Sequence, residues 1–364
     1  MRIRRTEQVT DERRAGRSAE NATRSIWGDR AVIPDAIGAE KPEQLALSIV
    51  IITENEEDRI EECIESSIAA AERAVPSFEV ILVDSASTDD TIEAASDHPV
   101  TILRIPEAHT VSCGAGRFVG DSVARGELVL HVDGDMRLSD EWLAEAVSVL
   151  HEEEDVAAVE GWLNESHAED VRPVSKVGGV MCYDADALAA VGGFDPFLWG
   201  YEDVDVGYRL SKAGYRLLRL PSVSAVHPTT EGDITEPIRR WQKGYLFAPG
   251  QAIRKARSDP KILKGMLARQ RFEWLTLFWL LLGTASLFST LGFLVWSSSS
   301  VGLFAIMSKK LGPRGAVKFG LAKVLRLAGI AYGLTLPPRS ADEYPLTHVA
   351  LVQEGAVLGS SESA

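Results

Sequence analysis

Cysteine is scarce. The three in this 364-residue chain, Cys63, Cys113 and Cys182, lie far apart and none belongs to a Cys-x-x-Cys pair, so neither a disulfide framework nor a zinc site is indicated. A reducing compartment suits such a chain. Positive charge is also short: 38 Lys and Arg against 53 Asp and Glu give a net charge of -15 and a pI near 5.0. Nucleic acid, whose phosphates demand a basic footprint, is therefore not an expected partner. The preference for Arg over Lys beside plentiful acids resembles the composition of proteins from salt-loving archaea. No internal repeat is evident. Met1 to Arg30 holds no apolar stretch of leader length, so no secretory signal is expected, and residues 1–45 read as a mobile arm.

What the chain does have begins at Leu47, where the β-branched run Leu47–Ile52 is too short for a helix and ends in polar Thr53-Glu54-Asn55-Glu56-Glu57. Ile60, Cys63, Ile64 and Ile68 then recur at helical spacing, predicting a helix over about 59–74. Strand runs return at 78–83, 100–105 and 127–132, with helices at about 114–125 and after Ser139-Asp140-Glu141. Alternation of this kind predicts a mostly parallel sheet covered on both faces, with ligands beyond the carboxyl ends of its strands. Acidic residues collect at those ends: Glu54, Asp84, then Asp133 and Asp135 around Gly134. In an extended strand i and i+2 share a side, so Asp133 and Asp135 are expected to face one cation such as Mg²⁺ or Mn²⁺, which would relieve their repulsion. After Pro173 the pattern becomes irregular, with a helix expected over about 204–213 and a strand around 217–220.

Charge disappears altogether from Trp274 to Trp296, a stretch long enough to cross a hydrocarbon core of roughly 30 Å, with tryptophans where interfacial aromatics sit. Both flanks, 254–271 and 309–326, are basic, which favours cytoplasmic placement of both. A helical hairpin over 274–307, turning near Thr290-Leu291-Gly292, satisfies that better than a single span. Residues 312–334 mix Lys and Arg with Leu, Val and Ala and suit an amphipathic helix on an anionic membrane surface.

Several segments in order carry a resemblance: the strand with Thr53-Glu54-Asn55-Glu56-Glu57, then Asp84-Ser85-Ala86-Ser87-Thr88-Asp89, Gly114-Ala115-Gly116-Arg117, Asp133-Gly134-Asp135, Gly192-Gly193-Phe194-Asp195, Glu202-Asp203 and His227. Over about 47–245 the chain resembles the family 2 glycosyltransferases, inverting enzymes of the GT-A fold. The resemblance implies an α/β class, a GT-A type doubly wound, mostly parallel sheet with a C-terminal membrane-associated helical segment. The organisation expected is an arm over 1–45, the transferase domain over 46–250, membrane-associated helices over 251–338 and a flexible tail over 339–364.

By the same resemblance Thr53, Glu54, Asp84, Arg117 and Asp133 would bind the nucleotide-sugar, and Asp135, Asp133 and His227 a divalent cation, Mg or Mn. Asp203, with Glu202 beside it, takes the place of the general base that removes the acceptor's proton. The basic loop Arg240-Trp241-Gln242-Lys243-Gly244 could close over the phosphates. Glu54 stands where an aromatic is frequent, which loosens the expectation for the base, and Phe118 where an asparagine is, which bears on one local contact and not on the class. The partners implied are a nucleotide-diphosphate sugar, a polyprenyl-linked or other membrane-proximal acceptor, and the membrane. The chain would sit at the cell membrane with its catalytic domain on the cytoplasmic side. Bland readings stand beside these: Asp84 as a turn-former, Glu202 and Asp203 as a helix N-terminus, His227 as a surface histidine. The rival from another class is a membrane-anchored nucleotide-sugar binding or scaffolding protein without turnover.

Overall fold

The computed structural model describes residues 45–109, 112–166, 168–228 and 235–359. Apart from Leu45, the expected N-terminal arm lies outside them. The first half alternates β1 (Leu45–Thr53), α1 (Ile60–Ala74), β2 (Ser77–Asp84), α2 (Thr91–Ser96), β3 (Thr101–Arg104), α3 (Cys113–Val123), β4 (Gly126–Asp133), β5 (Arg137–Leu138) and α4 (Trp142–Glu152). Leu47, Ile49 and Ile51 enter a core with Ile60 and Ile64 of α1, whereas Val50 and Ile52 enter a second core on the opposite face. Both faces of β1 are covered, which is why its sequence is apolar throughout instead of alternating. On the second face α3 lies so close that a Cβ at Gly120 would come within 2.3 Å of Val50 Cγ1. That approach brings Arg117 of α3 beneath the strand tips.

The chain continues through β6 (Val156–Leu163), β7 (Arg172–Val174), β8 (Met181–Asp184), α5 (Ala185–Ala190), α6 (Glu202–Ala213) and β9 (Arg216–Val226). With β10 (Ala350–Gln353) and β11 (Leu358–Gly359) from the end of the chain, the sheet runs β10-β3-β2-β1-β4-β8-β6-β9-β5, with β11 beside β2 and β7 beside β9. β1 is parallel to β2 and β4, and β2 to β3. Beyond β4 the order changes: β8 is antiparallel to both β4 and β6, and β9 to β5 and β7, while β6 and β9 are parallel. The expected mostly parallel sheet is therefore corrected to a mixed one. β8 arrives from an irregular return rather than a helical crossover, and a strand entering that way pairs antiparallel.

The part after the sheet holds α7 (Glu236–Gln242), α8 (Ala248–Lys255), α9 (Pro260–Arg269), α10 (Arg271–Ser286) and α11 (Thr290–Gly333). The chain reverses over residues 287–289, and the Ser289 hydroxyl caps α11 by accepting from the Gly292 N–H at 3.2 Å. The two helices lie together as a hairpin, with the Trp296 indole N–H donating to the Trp279 carbonyl at 3.1 Å. α11 kinks at Gly312, where φ is 73°, just before Pro313 and where the amphipathic stretch was expected to start. Lys323 and Arg326 beyond the kink pair with the buried Glu273 of α10 at 2.8 and 3.3 Å. Among the described helices Thr290–Gly333 is the one long and apolar enough to cross a membrane.

The root of this hairpin touches the sheet domain through α6. Val204 packs with Ala252, Ile253, Ile262, Met266 and Ile330, and the Gln270 amide donates to the Tyr201 hydroxyl at 3.0 Å. The segment expected as a flexible tail is folded as far as residue 359. Tyr344, Leu346 and Val349 fill the second core, β10 (Ala350–Gln353) pairs antiparallel with β3, and β11 (Leu358–Gly359) with β2. Its apolar residues show no period, because an open sheet edge rather than local patterning specifies these short strands.

Candidate active site

Parallel pairing puts Thr53 opposite Asp84 and Ile52 opposite Asp133, so the tips of β1, β2 and β4 share one edge of the sheet. Asp84 is fully buried and accepts from the Ser87 N–H, at 3.1 Å to its nearer oxygen, with Arg104 Nε at 3.6 Å. Burial pushes its carboxyl above the usual range, against the pull of Ser87 and Arg104. The Thr53 hydroxyl is buried with no hydrogen-bond partner among the described residues. Glu54 is exposed, 3.4 Å from Lys243 Nζ.

β4 ends at Asp133. Gly134 donates its N–H to the Ile52 carbonyl at 2.8 Å and Met136 to the Asp133 carbonyl at 3.0 Å, which places Asp135 in a turn. The same-side argument from strand periodicity therefore does not apply. Each carboxylate instead has a nitrogen partner from the protein: Arg117 Nη2 lies 2.7 Å from Asp133 Oδ1, and His227 Nε2 lies 3.1 Å from Asp135 Oδ2. Burial raises the Asp133 carboxyl, Arg117 opposes the rise, the Asp135 charge adds to it and His227 relieves it. Among the described residues no group of three or more His, Cys, Asp or Glu is gathered to hold a metal. Asp133, Asp135 and His227 are not gathered as a trio in this structure: Asp133 pairs with Arg117, and His227 lies against Asp135. Arg117 already answers the repulsion that a cation was expected to answer, and Asp135 with His227 remains the pair open to a metal.

Arg117 is 4% exposed, and its other terminal nitrogen donates to Glu202 Oε1. Burial works against its charge, but the Asp133 and Glu202 carboxylates outweigh that and hold it protonated. Glu202 is itself raised by burial first, with Arg117 opposing and Asp203 adding. One guanidinium thus ties the tip of β4 to the first residue of α6. That helix starts from Tyr201 in the left-handed region at φ 65°, a turn that separates its first two side chains. Glu202 goes inward to Arg117, and Asp203 accepts from Lys176 Nζ at 2.5 Å.

Thr53, Asp84, Arg117, Asp133, Asp135, Glu202, Asp203 and His227 are thus linked by strand pairing or direct contact around one edge. Glu54 directly follows Thr53 in the chain, and among the described residues its side chain pairs with Lys243. Of the basic loop, Lys243 reaches that edge while Arg240 pairs at 3.5 Å with Glu236 of its own helix. Three residues were not anticipated: Arg104 beside Asp84, Lys176 on Asp203, and Tyr245. The Tyr245 phenol is pushed up to about 12 by burial first, then by the charges of Cys113, Glu54 and Glu202. Lys176 falls in the stretch without period and nothing local marks it. Tyr245 directly follows the basic loop, which was the available signal.

Residues 48–188 match the family model for glycosyl transferase family 2, and residues 165–312 the model for glycosyl transferase family group 2. Over 111 residues, 30% of this chain, the sequence is 32% identical to the poly(ribitol-phosphate) beta-N-acetylglucosaminyltransferase TarS of Staphylococcus aureus. The match spans 19% of that protein's length. Among solved structures, the mannosyltransferase PcManGT of Pyrobaculum calidifontis, in complex with GDP-Man and Mn²⁺, superposes with a TM-score of 0.56 at 22% identity. That superposition covers 84% of this chain and 90% of the other, and at this identity it shows a shared fold. The pattern of glycosyl transferase family 2 thus runs through residues 48–188, the stretch that supplies Asp84, Arg117, Asp133 and Asp135 to the site.

Proposed function

We propose that the protein is a membrane-attached inverting glycosyltransferase, moving a sugar from a nucleotide-diphosphate donor to a lipid-linked or membrane-proximal acceptor. The observation that carries this reading is the Arg117 bridge from Asp133 to Glu202, which sets the donor edge beside the helix bearing the candidate base. Asp84 and Thr53 would meet the base and ribose, the buried carboxylate and hydroxyl offering an acceptor and an unused polar group. A divalent cation held by Asp135 and His227 would supply positive charge to the departing diphosphate. Asp203 would take the proton from the acceptor hydroxyl. Glu202, buried and bound to Arg117, would anchor the helix rather than meet substrate.

The hairpin supports this acceptor class. Its apolar surface is bare, with Phe288 93% exposed and Leu287, Leu291, Val301 and Phe304 also exposed. An apolar surface of that extent suits a bilayer. Its root packs on α6, so an acceptor carried by lipid would arrive next to Asp203. The basic flanks favour the cytoplasmic face.

The test uses the full chain in native membranes or detergent, a panel including UDP-N-acetylglucosamine and GDP-mannose with and without Mn²⁺, and mass analysis of lipid extracts. Transfer is expected with at least one donor. Asp203→Asn should lose transfer while nucleotide binding persists, and Asp135→Ala should lose metal-dependent transfer with the fold intact. Nucleotide binding by the unaltered chain without transfer to any lipid would replace this reading with that of a binding or scaffolding protein.

A further inference from the structure

Asp203 is held from below by a support that belongs to neither the donor edge nor the hairpin. Its Oδ2 accepts from Lys176 Nζ at 2.5 Å. Lys176 lies in the turn after β7, and the backbone of that turn is fixed by a buried acid: Glu160 of β6, 1% exposed, accepts the Gly178 N–H at 2.6 Å. Glu160 in turn accepts from Arg219 Nε of β9 at 2.6 Å, and the Arg219 guanidinium lies 4.7 Å from the centre of the Trp162 ring. Trp162, Arg219, Glu160 and Gly178 therefore form one chain of contacts that ends where Lys176 begins.

The fit against α6 is tight at two further points. A Cβ at Gly207 would come within 2.8 Å of the Ser175 carbonyl oxygen, and one at Gly178 within 3.0 Å of Asp203 Oδ2 and 3.3 Å of Lys176 Nζ. The turn and the helix thus meet backbone to backbone, and a charge–charge contact of this length has little room to wander. A carboxylate that must take a proton works only with the right oxygen presented to the hydroxyl, and misplacement by about 1 Å can cost on the order of 100-fold in rate. Asp203 sits beside Glu202, whose negative charge would drive it outward. The Lys176 ammonium supplies the opposing pull. Arg117 makes its direct contacts with Asp133 and Glu202 and acts on Asp203 only from a distance.

We propose that Lys176, presented by the turn pinned on Glu160, is a positioning residue for the Asp203 carboxylate and sets the rate of the transfer step without touching the donor. This rests on Asp203 being the base. The turn comes from the stretch between β6 and β8, so the device is built by tertiary packing and by no motif.

The experiment compares Lys176→Met, Lys176→Arg and Gly178→Ala with the unaltered full chain, using whichever donor of the panel it transfers. Lys176→Met should lower kcat by about 10- to 100-fold while KM for the donor and the affinity for the free nucleotide stay within about two-fold. Lys176→Arg should recover part of the loss, since a guanidinium can still reach the carboxylate. Gly178→Ala, whose methyl would press on Asp203 Oδ2, should show the same kcat-selective loss. The proposal is overturned if Lys176→Met keeps kcat, if kcat and nucleotide affinity fall together, or if arginine rescues nothing. Full transfer by Asp203→Asn would remove the base itself, which is a different failure and is read from that variant alone.

Discussion

The sheet domain and the helical hairpin solve opposite problems with the same residues. In the sheet domain Leu47, Ile49, Ile51 and Phe78 are fully buried, and the acids that share the interior with them each have a partner, as Asp133 and Glu202 do in Arg117. In the hairpin Phe278, Phe288, Leu291 and Val301 face outward, and the buried residues include an acid, Glu273, held by Lys323 and Arg326. Water as the surrounding medium explains the first arrangement. The proposed membrane attachment would surround the second with an apolar medium, where outward Leu and Phe would cost nothing and a charge would have to find a protein partner. If the proposed membrane attachment holds, the two regions are folded against different solvents, and each can be probed by putting the wrong residue in it.

The largest effect is expected in the domain interior. Arg117→Met leaves Glu202 and Asp133 uncompensated, and breaking a buried ion pair from one side costs about 3–5 kcal/mol. Chemical denaturation should show a loss of that size, and adding Glu202→Gln should return part of it. An unchanged midpoint would mean that the triad is solvated and that the interior is not what it looks like here.

Next is the hairpin tip. Phe288→Lys at a 93% exposed position should leave a protein folded in water untouched, yet should weaken binding to anionic vesicles by up to about 3 kcal/mol if the tip enters hydrocarbon. Vesicle flotation measures it, and equal partitioning of both forms would take the membrane away from this helix pair.

Acid stability offers a smaller signal. Burial alone would push Asp205 up, but Arg209 and Lys255 bring it below its ordinary value of 3.8. A depressed carboxyl stabilises the fold above its unfolded value and loses that contribution as pH falls through its folded one. Asp84, Asp133 and Glu202 are shifted the other way, so their protonation favours the fold at low pH. Asp205→Asn should therefore flatten the fall of stability below pH 3.8, read from urea unfolding at a series of pH values. A steeper fall would reverse the assignment. The smallest effect belongs to Lys243→Met, whose pair with Glu54 is half-exposed on both sides and is worth about 0–1 kcal/mol.

Much of the fold was legible locally. β1 and β2 extend only a residue or two beyond the apolar runs that announced them, and α1 spans Ile60–Ala74 as the spacing of Ile60, Cys63, Ile64 and Ile68 requires. The hairpin reverses beside Thr290, and α11 kinks at Gly312, both near where uncharged sequence gives way to polar or basic residues. The partners of the acids were less legible. Strand periodicity makes Asp133 and Asp135 one cation's ligands only if it is carried two residues past the end of β4, whereas the turn at Gly134 sets them against Arg117 and His227. Lys176 was invisible, since its meaning depends on Asp203, reached only through the packing of α6.

The sequence by itself determined which segments are strands and helices and where the uncharged hairpin lies, because hydrophobic periodicity, backbone stiffness and turn chemistry act over a few neighbouring residues. The tertiary structure alone decided that β8 enters antiparallel, that residues 339–359 close the sheet edge, and which cation each buried acid receives. Those outcomes turn on distances between groups remote along the chain, and the energy of a charge depends on what surrounds it in space.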